Sequence, residues 1–468
     1  MSNTASAAER LFFEGNRLMA QGDLAAAEDC FRNALREVPD KAELHANLAY
    51  LLALQGAAHA ALDAYARSID LDPGIAQVHL NHGALLIGLK QLDAAEAAFT
   101  TAILLEPASP AGWSNLGGLY AGMKRDAESE LCCRQALARD SGHAKARFNL
   151  ANVLLRQGRF GEGWACLESR QSGVPLAAHF QCPRWNGEPL AGQSMVLACE
   201  AGLGDMIHFV RYATVIKNKG VSRLTLVCPA ALKALFSTVP GVDEILTLEE
   251  DVPRTGWDYW APILSLPLHC ATDLASMPAH LPYVSVPAQH ARRWDAAFPA
   301  TGVRVGLVWK GNPKFENDAD RSLPGLHTLL ALAQVKGVSF VSLQKGAGEQ
   351  EAAHPPDGLQ LWDASPQLGD FADTAALIVN LDLVISVDTA VAHLAGALNK
   401  PCWLLLPHYN TDWRWLEQRS DSPWYPGVMR LFRQAPGGGW PDVMSQVQAA
   451  LVQFARSHGQ HGSAHQDA

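Results

Sequence analysis

Apolar and polar residues alternate in two different ways along this chain. Up to about residue 170 the apolar positions recur at helical spacing, and the sequence superposes on itself with a 34-residue step. On that step Gly15, Ala49, Gly83, Gly117 and Ala151 coincide. Ala27, Ala61 and Ala95 follow, then Phe31, Tyr65 and Phe99, then Ala34, Ser68, Ala102 and Ala136, and Pro39, Pro73 and Pro107 close the first three units. Small residues let the two helices of a hairpin approach closely. The aromatic is expected to fill the groove between neighbouring hairpins, and the proline ends the second helix because it lacks an N–H and clashes with the preceding turn. About five units can be counted over 8–170. Ser129 and Cys133 replace the alanine and aromatic of the fourth, and the fifth dissolves near Gly163 and Trp164.

Beyond residue 170 the helical period stops. The stretch 171–193 is a linker, with turn formers concentrated from Gln181 to Leu190. After Ser194 short apolar runs alternate with helical segments. Met195–Cys199, Leu224–Val227, Val303–Trp309, Ser339–Leu343, Leu383–Val387 and Cys402–Leu406 read as buried parallel strands, and Ile207–Lys217 and Thr374–Asn380 as helices between them. The pattern is that of a doubly wound α/β region. A polar, turn-rich crossing at Ala288–Thr301 divides it into two Rossmann-like lobes, 194–295 and 302–455, and 457–468 reads as a disordered tail.

Composition narrows the class. With 48% hydrophobic and 18% charged residues the chain is globular, and its net charge of −10 excludes a general nucleic-acid or anionic-membrane binder. No apolar run is long enough to span a bilayer, and Met1–Arg10 carries no secretory signal pattern. The nine cysteines are scattered without a CxxC pair, so a reduced, cytoplasmic protein is expected.

Candidate chemistry gathers at the ends of the expected strands, where α/β proteins place their ligands. After the first strand comes Glu200-Ala-Gly-Leu-Gly-Asp-Met-Ile-His208, in which Gly202 and Gly204 permit a tight turn and close backbone approach. A dinucleotide fingerprint fails here. Ile207 stands where its third glycine belongs, and no acidic residue follows Val227. Asp205 is then either the cap of a helix starting near Met206 or a functional carboxylate. In the second lobe Leu383–Val387 runs into Asp388-Thr389, and a helix begins at about Ala390. Its free N–H groups and dipole suit a diphosphate, with the Thr389 hydroxyl and His393, one turn on, facing the same region. Asp388 suits orienting donors or contacting a sugar hydroxyl. An ordinary cap with a packed histidine is the alternative. Lys310, Asn312 and Arg321 after one strand, and Gln344 and Lys345 after another, can neutralise such an anion. Trp413-Arg414-Trp415 and Trp424-Tyr425 suit either stacking on a base or sugar, or packing between lobes. No metal motif occurs in a convincing context, so no metal is expected.

Two resemblances complete the reading. The 34-residue units resemble tetratricopeptide repeats, whose concave surfaces hold peptides or proteins. Gly204-Asp205-Met206-Ile207-His208, and Asp388-Thr389 followed by His393-Leu394 and Pro401, resemble the heptosyltransferases of glycosyltransferase family 9. In place of Ala390 those enzymes often carry glycine. The resemblance implies a GT-B core in which Asp205 is the general base and the Thr389 helix with Lys310 and Arg321 holds the donor. It implies inverting, metal-independent transfer from a nucleotide-diphosphate sugar, a co-substrate rather than a cofactor, to a hydroxyl, with a protein acceptor recruited by the arm. The repeat-plus-GT-B architecture is also similar to that of O-GlcNAc transferases. The alternatives are a non-catalytic scaffold that binds a nucleotide sugar, an epimerase, and an arm that serves self-association into a homo-oligomer.

Overall fold

The computed structural model describes residues 6–170, 174–291, 294, 302–315 and 317–463. The chain forms two compact units, Met1–Val153 and Leu154–Ala468. In the first, helices pair into hairpins: α1 (Ala7–Ala20) with α2 (Leu24–Glu37), α3 (Ala42–Leu54) with α4 (Ala58–Leu71), α5 (Ala76–Gly88) with α6 (Leu92–Leu105), and α7 (Pro110–Gly122) with α8 (Asp126–Arg139). The division between units falls within α9 (Ala144–Arg156), and α10 (Phe160–Leu167) belongs to the second.

The repeat has a clear steric origin, which adds one contact to the expectation. Phe31 and Phe99 pack on the small residue of their own hairpin as well as in the core shared with the next, and Tyr65 meets the His82 ring of the following hairpin. A Cβ at Gly15 would lie 2.6 Å from the Phe31 ring, and one at Gly83 would lie 2.6 Å from the Phe99 ring. Phe31, Tyr65 and Phe99 are fully buried by this arrangement. In the fourth hairpin Cys133 sits against Gly117, and the Ser129 hydroxyl donates to the Gly117 carbonyl at 2.7 Å, so the degenerate pair still closes the seam. Helices α2, α4 and α6 end two residues before Pro39, Pro73 and Pro107.

The second unit contains two wholly parallel sheets. After α11 (Val174–His179), the first sheet comprises β1 (Ser194–Ala198), β2 (Arg223–Cys228), β3 (Glu244–Thr247) and β4 (Tyr259–Pro262) in the order β3-β2-β1-β4. Helices α12 (Leu203–Phe209), α13 (Tyr212–Asn218), α14 (Ala230–Phe236) and α15 (Leu266–His269) accompany it, and α16 (Ala288–Ala291) follows. The second sheet is built from β5 (Val303–Val308), β6 (Val338–Ser342), β7 (Leu361–Asp363), β8 (Leu383–Val387), β9 (Cys402–Leu406) and β10 (Met429–Arg433), ordered β10-β9-β8-β5-β6-β7. Its helices are α17 (Asp318–Arg321), α18 (Glu349–Ala353), α19 (Phe371–Ile378), α20 (Ala390–Ala397) and the closing α21 (Trp440–Ser463). The strands expected from continuous apolar runs are all present. β3, β4, β7 and β10 lack such runs or are short, and pairing with a central strand makes them strands.

Three segments depart from the sequence reading. The expected helix Ile207–Lys217 breaks into α12 and α13 because the Arg211 side chain turns back, its Nε donating to the His208 carbonyl at 2.7 Å. Helix α11 lies inside the stretch read as linker, of which 171–173 fall outside the described residues. Helix α21 continues to Ser463, past the start of the expected tail at 457, over a run that contains no proline to stop it. Residues 464–468, and 292–293 and 295–301 of the crossing, lie outside the described residues.

Candidate anion and sugar site

Both sheets reverse strand order beside their first strand, and connections diverging on either side leave a crevice at the carboxyl ends there. In the first sheet the reversal falls between β1 and β4, in the second between β5 and β8. The turn after β1 carries Gly202, with Gly204 and Asp205 in the first turn of α12. The loop after β5 carries Lys310 and Asn312 and leads to Arg321 at the end of α17, and Asp388 and Thr389 follow β8. These meet around one cavity of about 750 Å³, lined also by Gln344, Lys345, Ala390 and His393. All twelve residues singled out in the sequence therefore face the same space.

Helix α12 packs against α20, and Gly204 lies at their contact. A Cβ there would lie 3.1 Å from His393 Cδ2 and 3.5 Å from Ala390 Cα. The glycine is required by this approach rather than by a turn, since neither Gly202 nor Gly204 has a positive φ. Helix α12 starts at Leu203 with Gly202 as its cap. Asp205 is thus in the first turn and not at the cap, and its Oδ2 accepts from the Gly202 N–H at 3.1 Å. Its Oδ1 is paired with Arg414, whose other terminal nitrogen binds Asp412 at 2.8 Å. The Asp205 side chain keeps 22% of its surface exposed. Burial pushes this carboxyl above the usual carboxylate range, with the Arg414 guanidinium opposing the shift.

Across the cavity Thr389 caps α20, and its hydroxyl lies 3.1 Å from that of Ser386. Asp388 accepts a hydrogen bond from Trp415 Nε1 at 2.8 Å. Burial raises the Asp388 carboxyl to about 6, reinforced by the neighbouring Asp412 carboxylate. His393 is 6% exposed, stacks on Trp415 with ring centroids 5.2 Å apart, and shares the Tyr425 hydroxyl at 2.8 Å from its Nδ1.

The remaining predicted residues divide by what already holds them. Lys310 Nζ reaches the Pro324 carbonyl at 2.8 Å, and Lys345 Nζ binds Glu349 and the Ser365 carbonyl. Arg321 pairs with Asp318 at 3.2 Å and lies over the Phe315 ring. The Asn312 side chain accepts from the Lys314 N–H at 3.1 Å. Gln344 is committed to the backbone: its carboxamide accepts from the Trp309 and Lys310 N–H groups and donates to the carbonyls of Lys310, Lys345 and Ala347. It shapes the two loops that carry the lysines.

The sequence reading named Arg414 only within the tryptophan segment, without an ionic role, and gave Asp412 and Arg211 no place in the site. Their signal was weak, because Arg414 and Arg211 find partners far along the chain. The tryptophan segment resolves toward packing between lobes: Trp413, Trp415, Trp424 and Tyr425 are buried, and Arg211 of the first lobe donates to the Trp424 carbonyl at 2.7 Å. Among the described residues one group with metal-ligand character stands out, His290, Asp370 and Asp373, with ligand atoms within 4.8 Å of one another. Asp370 caps α19, and Asp373 accepts from the Gly369 N–H.

The class of protein is therefore a helical-repeat unit joined to a parallel-sheet α/β unit with a polar cleft at its strand ends. Residues 14–74, 119–163 and 76–109 match tetratricopeptide repeat models, and 327–405 match the model of glycosyltransferase family 9 (heptosyltransferase). Tetratricopeptide repeat models thus match the N-terminal part of the chain, and the glycosyltransferase family 9 model matches a segment of its C-terminal part. Protein FlbA of Caulobacter vibrioides is 31% identical over 360 residues, which is 71% of this chain and 60% of that protein. The chain thus spans less than two thirds of the curated relative it matches. Solved structures similar to part of it include a MamA fragment from Desulfovibrio magneticus (18% identity, 37% of this chain and 97% of that one, TM-score 0.31). A thermophilic TPR protein of Thermus thermophilus, TTC0263, is 22% identical over 36% of this chain and 95% of its own, with a TM-score of 0.32. No helix among the described residues is long and apolar enough to cross a membrane.

Proposed function

We propose that the second unit is a GT-B glycosyltransferase that moves a sugar, with inversion, from a nucleotide diphosphate to a hydroxyl, and that the repeat arm recruits a protein acceptor in the cytoplasm. The observation that carries this reading is the single cavity in which Asp205, from the first sheet, faces the Thr389 end of α20, from the second. A diphosphate at the start of α20 would meet free backbone N–H groups, the Thr389 hydroxyl and His393, with Lys310 and Arg321 alongside. These groups supply the positive charge that a departing diphosphate needs, so the reaction as drawn requires no metal. Asp205 would take the acceptor's proton. Each of its oxygens has one partner at present, and a carboxylate oxygen can accept a second hydrogen bond. Asp388, opposite, suits a sugar hydroxyl rather than a phosphate.

A scaffold that binds the nucleotide sugar without turnover is the competing reading, and the Asp205–Arg414 ion pair favours it by occupying the base. Thermal shift with a panel of nucleoside diphosphates and their sugars, beside turnover assays, separates the two. A ligand at a hundred times its Kd stabilises the fold by ~2.7 kcal/mol. Stabilisation lost in Thr389→Ala and retained in Asp205→Ala supports the donor site. Binding without turnover on any hydroxyl acceptor supports the scaffold, and no binding by any member overturns both.

A further inference from the structure

Behind the cleft lies a buried chain of polar groups that crosses from one lobe to the other. The Tyr425 hydroxyl sits between two imidazoles, 3.1 Å from His208 Nδ1 on α12 and 2.8 Å from His393 Nδ1 on α20. His208 and Tyr425 are fully buried, and burial together with the Arg211 and Arg414 guanidinium groups holds both histidines neutral. Each ring therefore carries one proton, and Tyr425 has one to give. Tyr283 does not supply another. Its hydroxyl donates to the Ile207 carbonyl at 3.0 Å and accepts from Arg211 at 2.9 Å, and at 3.5 Å from the Tyr425 hydroxyl it is a longer, weaker acceptor for that proton than either imidazole.

With the Tyr425 proton on one of its two short contacts to imidazole, two arrangements satisfy the chain. If Tyr425 donates to His208, then His208 carries its proton on Nε2, a buried atom without a hydrogen-bond partner. In that case His393 also turns a bare lone pair toward the anion site. If His208 donates from Nδ1 to Tyr425, and Tyr425 donates to His393, the proton leaves the buried His208 Nε2, and the N–H left without a protein acceptor is on the cavity-lining His393 ring. A buried donor without an acceptor is the rarer and costlier defect, so the second arrangement wins. His393 Nε2 has no protein partner among the described residues, and the ring lines the cavity.

We propose that His208 and Tyr425 act as positioning residues that fix His393 as its Nε2–H tautomer, presenting a neutral hydrogen-bond donor to the donor diphosphate at the start of α20. This rests on the donor-site reading above. It makes the first lobe part of the second lobe's phosphate site, because α12 sets the proton on α20.

The test uses the full chain with 15N-labelled histidine and long-range 1H–15N correlation spectra, assigned through His393→Asn and His208→Asn. The expected spectrum has His393 protonated on Nε2 and His208 on Nδ1. In Tyr425→Phe, which keeps the ring, the His393 signal should move toward a tautomer mixture, and affinity for the nucleoside diphosphate that binds best should fall roughly tenfold, the worth of one hydrogen bond to a charged group. His208→Phe should do the same, whereas His208→Asn, which can keep a donor near the Nδ1 position, should restore most of the affinity. His393 protonated on Nδ1, or Tyr425→Phe with unchanged spectrum and affinity, overturns the proposal. If no nucleoside diphosphate binds, the donor-site reading fails, and the spectra still decide the tautomer relay by themselves.

Discussion

Asp205 and Asp388 are both carboxyl groups that burial pushes up, but they hold different positions. Asp205 keeps a path to solvent and an arginine partner, and Asp388 is bonded to an indole. Asp205→Asn preserves shape and removes the proton acceptor, so turnover should fall by roughly 10²–10⁴-fold while thermal shift by the donor persists. With wild type, kcat/KM should decline as pH falls through the raised pKa of Asp205, an acid limb above the ordinary carboxylate range, and Asp205→Asn should lose that limb. Asp388 gives a stability prediction of known sign. Its folded pKa of about 6 exceeds the usual value of 3.8, so the folded state holds the proton more tightly and loses stability as pH rises from about 4 to about 6. Asp388→Asn removes that cost and should stabilise the fold at pH 8 by on the order of 1–2 kcal/mol, seen as a higher melting temperature, while weakening binding of the sugar. Urea titrations at pH 4.5 and pH 8 would show whether the gain is confined to the higher pH. Residue identity singled out Asp205 and the Asp388-Thr389 pair, but such residues between a strand and a helix are also ordinary caps, and the resemblance to glycosyltransferase family 9 made the choice between the two. Arg414 escaped because its partner Asp205 is 209 residues away in sequence.

At the scale of elements, α20 is the part on which the site depends. Its first turn faces the cavity, its second carries His393, and Gly396 makes room for the Tyr425 ring, into which any Cβ would project. Gly396→Ala should therefore displace Tyr425, cost ~1–3 kcal/mol of stability, and weaken donor binding more than Gly161→Ala, whose added Cβ would meet nothing within 4 Å. Melting curves with and without ligand would read both effects. Elements with continuous apolar runs or a full repeat were plain in the sequence. The break between α12 and α13 was not, because it depends on one arginine that returns to a carbonyl.

The whole molecule divides at Val153 and Leu154 into two units with separate cores. Calorimetry of the full chain should show two transitions, of which a bound nucleotide sugar moves one. Phe99→Ala, which empties the seam against Gly83, should lower the other by about 3–5 kcal/mol and leave the ligand-dependent shift unchanged. A single transition that ligand and Phe99→Ala both move would contradict this independence. The sequence by itself determined the repeat arm, the parallel strands of the centre and the residues at their carboxyl ends. Those features are local, written in periodicity, in small residues opposite rings, and in the residue types where strands stop. Tertiary structure alone decided that Asp205 meets Arg414, that Gln344 serves the backbone, and that Tyr425 joins two histidines. Such pairings are set by which loops converge when two sheets pack, and spacing along one chain carries no record of that convergence.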